Sequence, residues 1–150
     1  LVLDGSEASN DMIRVASANA KNEGVGNRCN YKNGFAENMT ELKDATYDLV
    51  ISRDSLHHWV EPEKVFLEIK RVLKPDGKIF IGDSRRDLKL MGKLIVTIFS
   101  NFIPNGMGKY WKTSIAASYV PREIEEMIQR IKCNNWRVVS DFMDLTIIKN

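Results

Sequence analysis

Cysteine is scarce: Cys29 and Cys133 are the only two in 150 residues. They lie far apart, without metal-type spacing, which fits two reduced thiols in a cytosolic protein. Strings of positive charge are missing as well. None is longer than Arg85-Arg86, and the net charge is +2. Such a balance argues neither for nor against nucleic acid, and no nucleic-acid partner is expected. Long apolar runs are lacking. The most apolar stretch, Leu94 to Phe99, falls far short of the roughly 20 residues a membrane-spanning helix needs. No secretory leader is visible. The two histidines, His57 and His58, are adjacent and lack the partner spacing of a metal site, so no metal is expected. Repeats, low-complexity tracts and interdomain linkers are absent.

What is present is ordinary for a soluble globular chain: 43% hydrophobic and 28% charged residues. The length fits one domain over residues 1–150 with a real core, and a cytoplasmic location is expected. The chain opens on Leu1 rather than Met, directly inside an apolar run, as a chain lacking its N-terminal portion would.

The organising stretch is DLVISRDSLHHWVEPEKVFLEIKRVLKPDGKIFIGDS, from Asp48 to Ser84. Asp48 to Ser52 is a short apolar run of the kind buried in a parallel sheet. Pro62 suits the first position of a helix, where a missing N–H costs nothing. Val65, Phe66, Ile69, Val72 and Leu73 recur at helical spacing and predict one buried face. Lys74 to Gly77 predicts a turn, and Lys78 to Gly82 a second strand. Strand, helix and strand make a right-handed crossover with parallel strands. Ligands in such sheets bind beyond the carboxyl ends of the strands, which here means Ser52 to Ser55 and Asp83 to Arg86.

Upstream, Leu1 to Asp4 reads as the end of a strand, followed by a turn at Gly5 and Ser6. Ser6 or Ser9 can cap the next helix, whose apolar stripe is Met12, Val15, Ala16 and Ala20, with Gly24 at its C-terminus. In dinucleotide-type folds an acidic residue closes the second strand and accepts hydrogen bonds from ribose hydroxyls. Asp4 is the candidate, its plainer role being a helix cap. A short third strand is predicted around Cys29 to Lys32, then a loop from Gly34 to Met39. Downstream, Asp83 to Asp87 predicts a polar turn and 88–102 an apolar helix. Trp111 to Tyr119 reads as irregular or briefly helical. Pro121 opens another helix that Asn134-Asn135 ends, and two β runs, Trp136 to Phe142 and Leu145 to Ile148, predict a hairpin at the sheet edge.

Three segments carry a resemblance: LVLDGSEASNDMIRVASANA, GFAENM and DLVISRDSLHHWVEPEKVFLEIKRVLKPDGKIFIGD. Their residues and order resemble the class I S-adenosylmethionine-dependent methyltransferases, most closely the small-molecule group called type 11. The likeness is specific over residues 1 to 84 and extends only to element order beyond them. It implies an α/β fold with a Rossmann-like sheet, mostly parallel with an antiparallel edge hairpin and truncated at the N-terminus. It implies S-adenosyl-L-methionine as cofactor and a small-molecule substrate. On the resemblance, Asp4 and Gly5 lie by the ribose and adenine, Phe35 and Ala36 beside the adenine, and Ser52 and Arg53 near the methionine portion. His57, His58 and Trp59 lie near the substrate. The family's first strand and glycine-rich loop are absent. Gly5 replaces a usual apolar residue, and Phe35 an often acidic one, so Phe35 is left to stack on the base.

Methyl transfer from a sulfonium is a direct displacement that gains most from alignment. An oxygen or carbon acceptor also needs a base, and His57 or His58 is the natural candidate; the plainer reading packs both against Trp59. Asp83 and Arg85 are candidates for holding a polar substrate group, or form a solvated turn with local ion pairs. The 88–102 helix reads either as core or as a lid over an apolar substrate. The strand ends at Asp4, Ser52 and Asp83 are expected to converge on one cleft. Two alternatives stay open: a non-catalytic remnant or partner-binding domain, able to form a homodimer, and a nicotinamide-dependent dehydrogenase, which Asp4 alone would also fit.

Overall fold

The computed structural model describes residues 1–149, with Asn105 described in its backbone only. It divides into two compact units, Leu1–Lys43 and the residues from Asp44 onward.

In the first unit, strand β1 (Leu3–Glu7) leads through helix α1 (Asn10–Asn22) to strand β2 (Cys29–Asn33). The strands pair in parallel, from Leu3 opposite Cys29 to Glu7 opposite Asn33. Asp4 therefore lies inside a strand, not at its end, and the turn expected at Gly5 and Ser6 is extended backbone. Pairing to β2 carries the chain on, and the Gly34 N–H donates to the Glu7 carbonyl at 3.1 Å. Ser9 caps α1, its hydroxyl accepting the Met12 N–H. Gly24 adopts φ +70°, a left-handed conformation that glycine reaches without steric cost, just past the helix. The expected α1 stripe is only partly buried. Ala20 is covered, but Met12 and Val15 are exposed.

In the second unit a four-stranded sheet is ordered β3-β4-β6-β5, with β3 (Tyr47–Arg53), β4 (Leu73–Ser84), β5 (Trp136–Ser140) and β6 (Asp144–Lys149). β3 and β4 are parallel, while β6 runs antiparallel to both neighbours and forms the expected edge hairpin with β5. Between β3 and β4 lies α2 (Pro62–Val72), with Pro62 in its first turn. The turn expected at Lys74 to Gly77 does not leave the sheet. Leu73 already pairs with Tyr47 and pairing resumes at Lys78 opposite Leu49, so the intervening residues bulge within one long strand. Asp83 and Ser84 also stay in that strand, because β6 pairs with both.

The 88–102 segment forms a shorter helix, α3 (Leu90–Phe99). The segment expected to be irregular or briefly helical, Trp111 to Tyr119, falls largely in a regular helix that starts earlier, α4 (Met107–Ala117). Gly106, at φ +72°, turns the chain into α4. Gly108 packs on the Ser100 backbone so closely that no Cβ fits. α5 (Pro121–Arg130) follows, where the Glu123 carboxylate accepts the Val120 N–H at 2.9 Å.

The core lies on one face of this sheet. Ile79, Ile81, Leu145 and Ile147 of the sheet, Val65, Phe66, Ile69 and Val72 of α2 and Ile124 and Ile128 of α5 are all buried, with α2 against β4 and α5, and α5 against β5. Phe66 sits between Trp59 and Trp136, edge-on to each at centroid distances of 5.9 and 6.0 Å. On the other face Leu49, Ile51 and Phe80 are exposed, where the apolar run of β3 predicts burial.

Candidate functional site

The carboxyl ends of β3 and β4 lie side by side, Ser52 opposite Ile81 and Arg53 opposite Gly82. The ladder extends one step further, the Asp54 N–H donating to the Gly82 carbonyl at 2.9 Å. There the chain turns sharply, with Asp54 at φ +53°. Aspartate tolerates this region better than most residues, and such strain gathers at functional sites. Ser55 Oγ donates to the Arg53 carbonyl at 3.1 Å. A 3₁₀ turn over Leu56–His58 follows, pinned by Leu56, which is 1% exposed.

This turn delivers His57 onto Asp83, 26 residues away in sequence. His57 Nδ1 lies 2.8 and 2.9 Å from the two carboxylate oxygens, and the His57 backbone N–H donates to the same carboxylate at 2.9 Å. The Ser84 N–H donates to it as well, at 2.7 Å. Both side chains are buried, at 6% and 1% exposure. The carboxylate accepts, so the Nδ1 proton points at it, and in the neutral ring Nε2 is then an acceptor. Nε2 is buried with no hydrogen-bond partner. Native structures leave few such atoms. α4 packs against this turn.

Carboxylates gather here. A hollow of about 30 Å³ at the strand ends is lined by Arg53, Asp54, Phe80, Gly82, Asp83, Asp144, Leu145 and Thr146. Burial, then the charges of Asp141, Asp54 and Asp83, push the Asp144 carboxyl above its ordinary value of 3.8, while Arg53 opposes them. Asp141 moves the other way, held down by the N–H groups of Asp144 and Met143. A carboxyl that folding makes harder to ionise costs stability as pH rises above its unfolded value. Asp144→Asn is therefore expected to raise the unfolding midpoint at neutral pH. The gain shrinks as pH falls and vanishes below about 3.8, where both forms are neutral. Thermal unfolding across pH checks this.

Sequence reasoning named His57 and Asp83 for different roles, and the structure joins them in one pair. His58 is exposed, its ring 4.0 Å from that of His57. Trp59 is half-buried, turned onto Phe66. Ser52 is half-buried, and Arg53 is exposed beside Asp54. Arg85 is held by Asp87, at 2.7 and 2.8 Å, and by the Asp141 carbonyl at 3.0 Å, and Arg86 by Glu123 and the Ser118 carbonyl. Asp54 lay within the 52–55 strand end that the sequence pointed to but was not singled out, and Asp144 was missed, carrying no signal beyond the acidic residue itself.

In the first unit, the exposed Asp4 carboxylate accepts from Asn30 Nδ2 at 3.0 Å. Gly5 faces the Tyr31 ring, where an added Cβ would come within 2.8 Å of it. That ring fills the space a larger residue at position 5 would take. Phe35 is exposed and Ala36 half-buried, in a turn closed by the Asn38 N–H on the Phe35 carbonyl at 3.0 Å.

A methyltransferase-domain family model matches residues 3–81. An uncharacterized methyltransferase, YcgJ of Bacillus subtilis, is 34% identical over 79 residues, 53% of this chain and 30% of that protein. A ubiquinone biosynthesis O-methyltransferase of Maricaulis maris is 26% identical over 110 residues, covering 72% of the chain and 42% of that protein. The chain thus spans less than half the length of these curated relatives. Among solved structures, an S-adenosylmethionine-dependent methyltransferase of Methanococcus maripaludis superposes with TM-score 0.70 at 22% identity, over 98% of this chain and 65% of that one. The structural likeness establishes the fold, and the sequence match over more than half the chain establishes the lineage: the protein belongs to the methyltransferase-domain family.

Proposed function

We propose that the protein transfers a methyl group from S-adenosyl-L-methionine to a small-molecule acceptor, with His57 as the base. The observation that carries this is the buried Asp83–His57 pair with its unpartnered Nε2. The acidic lining at the ends of β3 and β4 fits a cofactor bearing a sulfonium and an ammonium, since carboxylates favour a nearby cation. When bound, that cofactor supplies an activated methyl group. Asp4 is the candidate for the ribose hydroxyls and Phe35 for stacking on the adenine, with Gly5 and Ala36 beside them. Ser52 and Arg53 are assigned to the methionine portion. His58, Trp59 and Arg85 remain candidates for the substrate's surroundings.

Within this reading, Nε2 accepts the acceptor's proton while Nδ1–H stays on Asp83. The carboxylate fixes the tautomer and then faces an imidazolium, whose charge it stabilises. His57→Gln is expected to leave S-adenosylmethionine affinity intact by isothermal titration and to lower turnover by about 10²–10⁴-fold, the usual contribution of a positioned base. Absence of both binding heat and thermal shift with S-adenosylmethionine or S-adenosylhomocysteine at millimolar concentration would overturn the cofactor assignment. It would favour a binding domain that has kept the fold. Intact turnover in the variant would remove His57 alone.

A further inference from the structure

The residues from Leu88 to Pro121 contain four lysines, Lys89, Lys93, Lys109 and Lys112, and no aspartate, glutamate or arginine. In a chain that is 28% charged, such a one-signed segment stands out. All four lysines are exposed, and none forms an ion pair among the described residues. The same segment exposes large apolar side chains. Gly92 and Val96 form the buried stripe of α3, flanked by buried Leu88 before the helix and Ser100 at its end. Leu88 and Val96 pack with Ile115, beside Trp111 and Met143. A second stripe, Leu90, Leu94 and Ile98, repeats every fourth residue, with Met91 and Phe102 beside it, and all five face solvent. Tyr110 of α4 is exposed too, at 71%. Lys93 falls between the two stripes on the helical wheel, bordering the exposed apolar one, and Lys89 is the residue that precedes the helix.

An exposed apolar stripe of this extent marks an interaction site. Its occupant is indicated by the charge around it. Lysines without acidic residues complement an anionic surface, and apolar side chains beside them suit shallow burial among lipid chains. No helix among the described residues is long and apolar enough to cross a membrane, so contact would be with the surface. We propose that the solvent side of α3 and α4 docks the protein on an anionic lipid bilayer. The helix lies in the headgroup plane, its lysines on lipid phosphates and Leu90, Leu94 and Ile98 among the upper acyl chains. This goes beyond the proposed chemistry and does not depend on it.

Vesicle flotation tests the docking, using vesicles of phosphatidylcholine alone or with about one-third phosphatidylglycerol. The protein is expected to float with the anionic vesicles, to be released by salt, and to ignore the neutral ones. Lys89→Ser with Lys93→Ser should weaken binding more than tenfold, at about fivefold per lysine. Leu94→Ser with Ile98→Ser should weaken it comparably. Both pairs are exposed, so the variants should retain the wild-type circular dichroism. The proposal is overturned by absence of flotation with anionic vesicles, equal flotation with neutral ones, or affinity unmoved by either pair. A concentration-dependent dimer that Leu94→Asp abolishes, without vesicle binding, would assign the stripe to a second copy and overturn it too.

Discussion

Asp83→Ala is expected to destabilise the protein by about 3–5 kcal/mol, the usual cost of removing one member of a buried, hydrogen-bonded pair. The carboxylate accepts from three donors: the His57 backbone N–H, His57 Nδ1–H and the Ser84 N–H. Alanine leaves all three without an acceptor in a place that water does not reach, and each buried orphan costs about 1–3 kcal/mol. Neighbouring relaxation recovers part of that sum. Asp83→Asn is expected to lose less, because its carbonyl oxygen can still accept while its amide presents protons to donors. Urea unfolding midpoints separate the two variants. The imidazole ¹⁵N resonances of His57 report the tautomer directly. Asp83→Asn should shift them toward a mixture, whereas an unchanged Nδ1–H signal would show that the carboxylate does not hold the ring. Loss of under 1 kcal/mol in Asp83→Ala would mean that the pair does not brace the strand ends.

Phe66→Ala should cost a similar amount by a different route, about 3–5 kcal/mol. Phe66 is 0% exposed and lies where α2, β5 and the loop before α2 meet, between the rings of Trp59 and Trp136. Truncation removes the transfer free energy of the ring and leaves a cavity that two rigid indoles fill poorly. Phe66→Leu should lose less, since it restores part of the volume. The measurement is again the unfolding midpoint, joined by Trp fluorescence, because both indoles lose their packing partner. A spectrum unchanged in Phe66→Ala would argue that the rings are held from elsewhere.

Local chemistry was readable in the chain. Pro62 and Pro121 open helices, Ser9 caps one and Gly24 closes it. These effects depend on a residue and its immediate neighbours, so no fold is needed to see them. The α2 face was legible for the same reason. The spacing of Val65, Phe66, Ile69 and Val72 follows the helical period, and each is buried. The edge hairpin followed from two β runs close together in sequence, Trp136 to Phe142 and Leu145 to Ile148. Less local features were misjudged. The 74–77 segment has the composition of a turn yet bulges within a strand, because pairing with β3 holds both sides of it. The segment containing α4 lacked a clear period, with glycine and polar residues mixed among its apolar ones, yet packing of Ile115 against Leu88 and Val96 makes it a helix.

By itself, then, the sequence determined most of the order of elements, the helix boundaries set by proline, serine and glycine, the apolar face of α2, and the family to which the motifs point. Tertiary structure alone decided that His57 and Asp83 are one buried pair, that Asp54 and Asp144 share its surroundings, and that Leu49 and Ile51 of β3 are exposed. The reason is separation and burial. Residues 26 positions apart meet only when a parallel crossover sets two strand ends side by side. A run apolar at every position, such as Leu49 to Ile51, carries no alternation to tell which face another layer will cover.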